Sequence, residues 1–221
     1  MLDKLLPYLT TSNQQYGFKK GVGCAQAIYD VKQTFDYFTS RESTVNICAL
    51  DISKAFDKIN HYNLFLQLMK RQIPVDIVKL LYNWYSKLNT VLKWNKILSV
   101  PVVLTAGVRQ GGILSPALFS IYIDELLTLL HESKLGCFIK GTCANSFMYA
   151  DDIILLTISV HHLQKLVNIC KEFLELNDLH LNGSKCKYLQ IGPKNHNKCC
   201  LIKLGSDNFM WVDEIKYLTF T

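Results

Sequence analysis

Two spacings of apolar residues interleave along the 221-residue chain. In HYNLFLQLMKRQ (His61 to Gln72), Leu64, Phe65 and Leu68 fall on one helical face. Pro74 suits the first turn of a following helix, with Val78, Leu81, Tyr85 and Leu88 turned inward. Ser115-Pro116 places an N-cap residue before a proline, opening a helix that runs to about Glu132. His162 to Leu176 is again amphipathic, and Ala25 to Phe38 predicts a helix entered from the glycine-rich loop QYGFKKGVG (Gln15 to Gly23). Strand patterns lie between these helices. TVNICALDI (Thr44 to Ile52) is apolar and β-branched, as in a buried strand. TVLKWNKILSVPVVL (Thr90 to Leu104) predicts a β-ribbon turning at Asn95-Lys96, and FMYADDIILL predicts a hairpin with Ala150-Asp151 at its tip. Short strands are expected around Tyr188 to Ile191, Leu201 to Leu204 and Met210 to Phe220. Helices and strands mix without a regular βαβ rhythm, so the predicted fold class is α+β.

Composition narrows the class. Apolar residues at 49% against 19% charged supply a core for one large domain or two small lobes. No apolar run approaches the roughly 20 residues that a membrane helix needs, so no membrane partner is expected. The opening MLDKLLPYLTTSNQQ lacks the long apolar stretch of a signal peptide. Eight cysteines are scattered without a C-x-x-C pair, which reads as reduced thiols of an intracellular protein, in nucleus or cytoplasm. His196 with Cys199-Cys200 fits no standard zinc spacing. The net charge of +6 permits binding to a phosphate backbone without demanding it.

The chemistry concentrates in acids placed where acids are costly. Asp151 and Asp152 sit inside an apolar strand pattern, and an unpaired buried charge is expensive, so the pair marks either a turn or a cation site. A hairpin tip satisfies both readings. Asp51 ends the first buried strand in the same manner, 100 residues earlier. Three carboxylates gathered at adjacent strand ends repel one another unless divalent cations lie between them. Oxygen ligands of this kind suit Mg²⁺, two of which about 4 Å apart form the clamp used for in-line nucleotidyl transfer. The reading requires the Asp51 side chain within about 8 Å of the hairpin tip. The plainer reading of each acid alone is a cap or turn residue.

Six blocks, in order, resemble reverse transcriptases, most of all those of non-LTR (LINE-like) retrotransposons and group II introns. QYGFKKGVGCAQAI resembles the fingers block Q-x-G-F-[RK]-x-G-x-x-x-x-x-A-I, and ALDISKAFDKINH resembles motif A. AGVRQGGILSPALFSIYIDEL, FMYADDIILL, LHLNGSKCKYLQIG and IKYLTF resemble motifs B, C, D and E. The resemblance implies a polymerase fingers-palm architecture with an antiparallel palm sheet packed on helices. Residues 1–43 would then be partial fingers with an N-terminal remnant, 44–73 palm, 74–108 a helix and β-ribbon insertion, and 109–221 the remaining palm.

The same resemblance implies roles. Asp51, Asp151 and Asp152 match the catalytic metal set, with Asp51 and Asp151 as direct ligands of two Mg²⁺ ions (Mn²⁺ a possible substitute) and the Ile52 carbonyl near the second ion. Phe56 matches the aromatic gate that collides with a 2′-hydroxyl. Gln110, with Gly111 and Gly112, matches the motif B loop at the incoming nucleotide and template, and Arg109 is a second basic candidate there. Lys185 matches the motif D lysine that protonates pyrophosphate, or is a surface loop charge. Lys19 stands where the family usually has a triphosphate-binding arginine, and gives a point charge in place of a bidentate fork. Tyr149 would lie under the primer terminus. Asp57 and His61 match the extension of motif A and read more simply as a structured helix start.

The implied partners are an RNA template, a DNA primer and deoxynucleoside triphosphates. Thr219 replaces the glycine of the family's Y-L-G, and the chain ends two residues later. The expectation is a fragment lacking the thumb and endonuclease regions of a parent polyprotein. Three functions compete. They are an RNA-directed DNA polymerase core, a weak or inactive remnant that only folds and binds nucleic acid, and a polymerase using ribonucleotides. Phe56 argues against the last; the three aspartates argue against the second, and the absent thumb argues for it.

Overall fold

The structure is a computed structural model that describes residues 5–109, 111–193, 201–205 and 207–218. The chain divides into two compact units, one of Thr11–Ser53 with Ile123–Thr221 and one of Met1–Thr10 with Lys54–Tyr122.

The larger unit is built on a five-stranded sheet. Its strands are β1 (Val45–Asp51), β2 (Ser146–Tyr149), β3 (Asp152–Thr157), β4 (Lys187–Ile191) and β5 (Met210–Trp211), in the spatial order β5-β4-β1-β3-β2. β1 occupies the centre and runs antiparallel to both neighbours. Helix α1 (Cys24–Thr39) covers one face, where Ala27, Val31 and Phe38 meet Val45, Ile47, Ile154, Leu156 and Leu189. Alternation sends Cys48 and Leu50 to the other face, under helix α5 (Val160–Leu176) with buried Leu163, Leu166, Val167 and Cys170. Both faces of β1 are thus covered, which is why its sequence is nearly continuous in apolar residues. Its one fully polar inward residue is satisfied: Asn46 donates to the Thr157 carbonyl and accepts from Tyr188 and Gln190.

The sheet corrects one expectation. β5 joins β4 in parallel, so the sheet is mixed at that edge. Eighteen residues separate Ile191 from Met210, enough chain for β5 to enter from the opposite end. The strand expected from Met210 to Phe220 is paired only at Met210–Trp211, and Thr219 and Phe220 lie outside the described residues, as do Lys194, His196, Lys198, Cys199 and Cys200.

The smaller unit carries α2 (His61–Lys70) and α3 (Val75–Tyr85). Asn60 caps α2 by accepting from the Asn63 N–H, and Leu64, Phe65 and Leu68 are buried as their spacing predicts. Pro74 sits one position earlier than expected, at the N-cap of α3, and Leu88 falls past that helix's end, half-buried. The ribbon turns at Asn95-Lys96 between Lys93–Trp94 and Ile97–Leu98. Helix α4 (Ser115–Glu132) begins in this unit and ends in the larger one.

Candidate active site

β1 ends on Asp51 and β3 begins on Asp152, and the register sets the two directly opposite. Facing residues of an antiparallel ladder have Cβ atoms about 5 Å apart, and like charges so placed repel. Asp151 is the second residue of the two-residue turn joining Tyr149 to Asp152. Acids a hundred positions apart in the chain therefore reach one end of one sheet. The electrostatic consequence falls on Asp152: although the residue is exposed, partial desolvation and the Asp151 and Asp51 charges raise its pKa above the ordinary carboxylate range.

Two carbonyl-to-amide bonds fix the far end of β1. Asn182 N–H donates to the Asp51 carbonyl at 2.8 Å, and Ser53 N–H donates to the His180 carbonyl at 2.9 Å. They flank the Ile52–Leu181 bridge, so the carbonyl of Ile52 is turned to the opposite edge of its strand. The next turn places Lys185, whose N–H donates to the Asn182 carbonyl at 3.0 Å. Lys185 Nζ lies 3.7 Å from Asp51 Oδ2, with side chains 66% and 34% exposed. A pair that open to water stabilises little, so the lysine remains easily displaced from the carboxylate.

The Cys24 side chain beside Tyr149, and then burial, raise the tyrosine's pKa. Tyr217 is buried beside them, and its hydroxyl is pushed far up by burial and then by Asp152, Cys24 and Tyr149. Lys19 is engaged elsewhere. Its ammonium donates to the Thr11 and Ser12 carbonyls at 3.1 and 2.5 Å, and partial burial lowers its pKa while Asp124 pulls it back up.

The motif B residues and Phe56 belong to the smaller unit. The Phe56 ring is half-buried and stacks on Phe119, centroids 4.5 Å apart and 20° between planes, while its carbonyl accepts from the Val108 N–H. The Arg109 carbonyl accepts from the Gly112 N–H and the Ser115 hydroxyl, closing the turn that holds Gly111 at φ +79°. The Arg109 side chain is exposed, beside a cleft of about 350 Å³ shared with Trp84 and Tyr85. Gln110 lies outside the described residues. Asp57 holds this region by a close backbone approach, its carbonyl 2.7 Å from where a Cβ on Gly107 would stand, and His61 Nε2 meets the Gly107 carbonyl at 2.7 Å.

Among the described residues no group of three or more His, Cys, Asp or Glu side chains is assembled as a metal cage. The donor chemistry nevertheless fits a hard cation: the acids at the sheet end are carboxylates, and the pKa of Asp152 is raised first by desolvation and then by its acidic neighbours. Sequence reasoning gave no role to Gln15, Cys24 or Tyr217. All three lie near the hairpin by paths that the fold creates, and nothing in their local spacing signals it.

Over residues 1–221 the chain matches the family described as reverse transcriptase (RNA-dependent DNA polymerase). It is 30% identical, over 213 residues, to the retrovirus-related Pol polyprotein of the type-2 retrotransposable element R2DM of Drosophila melanogaster, covering 93% of this chain and 20% of that protein. The transposon TX1 149 kDa protein of Xenopus laevis is 30% identical over 146 residues, 65% of this chain and 11% of that protein. The chain thus spans a fifth or less of these relatives. Among solved structures, apo telomerase from Candida tropicalis superposes with a TM-score of 0.62 at 12% identity, over 87% of this chain and 39% of that one. Telomerase from Candida albicans, in complex with a fragment of telomeric RNA, gives 0.60 at 13% identity, over 84% and 33%. At such identities the likeness speaks to fold, and it is that of an α+β polymerase fingers and palm. The chain belongs to the reverse transcriptase family, with the Pol proteins of R2 and other non-LTR retrotransposons as its relatives.

Proposed function

We propose that this protein performs template-dependent DNA synthesis on RNA, with Asp51, Asp151 and Asp152 holding two Mg²⁺ ions, or Mn²⁺ in their place. One observation carries the reading: the strand register that sets Asp51 against Asp152 beside the Asp151 turn. Bound there, the ions supply activation of the primer 3′-hydroxyl and neutralisation of the triphosphate. Asp51 and Asp151 are the direct ligands in this reading, with Asp152 beside them and the Ile52 carbonyl as a neutral oxygen.

The chain's own residues do the rest. Lys185 carries a proton at Nζ on an exposed turn beside Asp51 and donates it to the departing pyrophosphate. Phe56, stacked on Phe119, presents its ring to the sugar and excludes a 2′-hydroxyl. Arg109, Gln110 and Gly111 receive the nucleotide and template, and Tyr149 the primer end. Lys19 reaches a phosphate only after leaving the Thr11 and Ser12 carbonyls. Residues 1–43 act as fingers, 44–73 and 109–221 as palm, and 74–108 as an insertion between them. RNA template, DNA primer and deoxynucleoside triphosphates are the partners.

The test is primer extension on an RNA template with Mg²⁺ and deoxynucleotides. Asp151→Asn lowers the rate by about 10²–10³-fold, the scale of several kcal/mol of lost cation placement. Extension undiminished by that change overturns the assignment.

A further inference from the structure

The turn that carries Asp151 is held by a segment 135 residues earlier in the chain. Residues 14–17 run alongside β2: Tyr16 N–H donates to the Met148 carbonyl at 2.8 Å, and Met148 N–H donates to the Gln14 carbonyl at 2.9 Å. Between them Gln15 forms a parallel bridge with Met148 and is 1% exposed. A carboxamide buried so fully needs partners. Its Oε1 accepts from the Gly17 N–H at 3.0 Å and from the Ala150 N–H at 3.2 Å. Two N–H donors on one atom fix that atom as the oxygen. Gln15 Nε2 has no hydrogen-bond partner among the described residues, so the side chain's contribution lies in its oxygen. Gly17 completes the fit, since a Cβ there would stand 2.5 Å from the Ala150 nitrogen. Ala150 itself is held at φ +58°, a conformation an alanine keeps only when its surroundings impose it.

We propose that Gln15 is a positioning residue for the reaction. Its Oε1 pins the Ala150 amide, and thereby sets the direction in which the next residue, Asp151, presents its carboxylate. The catalytic consequence rests on the polymerase reading, whereas the clamp itself does not. The sequence separation makes the coupling one between the fingers block and the catalytic hairpin, so a shift of residues 14–17 is passed directly to Asp151.

The experiment is amide hydrogen exchange on the 221-residue protein, followed by primer extension. Gln15→Met keeps the length and removes the acceptor. It accelerates exchange at Ala150 about tenfold while Ile154 and Leu155 hold, and lowers kcat about ten- to a hundredfold with the deoxynucleotide KM unchanged. Gln15→Glu retains an acceptor oxygen and restores protection at Ala150. If Gln15→Met exchanges throughout the sheet, Gly17→Ala decides, because it presses on the turn with the carboxamide intact. Selective acceleration at Ala150 supports the clamp, and none overturns it. Selective acceleration with unchanged kcat overturns the positioning role. Wild-type protein without Mg²⁺-dependent extension overturns the polymerase reading instead, and is seen before any variant is made.

Discussion

Asp152 bears the electrostatic strain of the site, and its sign is testable. Its pKa is raised in the folded chain, so folding favours the protonated form. The associated stability is fully present below the ordinary carboxylate pKa of about 4 and is lost as pH rises through the folded value. At pH 7 the ionised group opposes folding. Asp152→Asn therefore raises the melting temperature of the metal-free protein by about 1–2 °C at pH 7, with no gain at about pH 3. Thermal melts at the two values check this, and a gain that persists in acid contradicts the repulsion. Phe56 offers a second test at this scale. Stacked on Phe119, it presents a rigid ring, and Phe56→Ala removes it while leaving the aspartates in place. Ribonucleotide use relative to deoxynucleotide use rises by about ten- to a hundredfold, read from kcat/KM for each. An unchanged ratio leaves Phe56 as a core aromatic.

Elements were legible where their apolar spacing was long. The helices at Cys24–Thr39, His61–Lys70 and Ser115–Glu132, and the strand at Val45–Asp51, fall within a residue or two of their expected bounds. In the tail, Lys187–Ile191 matches its expected strand to within a residue, whereas the two-residue strands Lys203–Leu204 and Met210–Trp211 fall inside theirs without a period from which to read their ends. Caps formed at long range were equally hidden. Asn145 is fully buried, and its Nδ2 donates to the Leu130 and Leu135 carbonyls at 2.7 and 2.9 Å, satisfying the end of α4 from the strand side. Gly136 permits the approach, since a Cβ there would stand 2.4 Å from that of Asn145 and its φ is +102°. Asn145→Ala strands the Leu135 carbonyl, leaves that of Leu130 to the Ser133 hydroxyl at 2.7 Å, and lowers stability by about 1–3 kcal/mol, measured from urea midpoints. A loss below about 0.5 kcal/mol shows that water replaces the cap.

At the scale of the whole molecule, the larger unit holds the carboxylates, Lys185 and Tyr149, and the smaller unit holds Phe56, Arg109 and Gly111. The smaller unit also presents exposed Trp94 (81%) and Ile97 (74%) on its ribbon. A contiguous apolar tip of this kind promotes association and contributes nothing to a core. Trp94→Lys with Ile97→Lys reduces self-association in sedimentation while the melting temperature moves by less than about 2 °C. A larger fall shows that the tip is part of the fold. The chain's order of residues determined by itself the α+β class, the buried strand at Val45–Asp51, the Ala150-Asp151 hairpin and its candidate carboxylates, because apolar periodicity and charges set into apolar runs are local properties. Only the tertiary structure decided which carboxylate faces which, that Lys19 is tied to backbone carbonyls, that an edge strand joins in parallel, and that Gln15 grips the turn. Those facts depend on register and on tertiary contacts, two of them between residues more than a hundred positions apart, and no local pattern encodes the geometry in which segments meet.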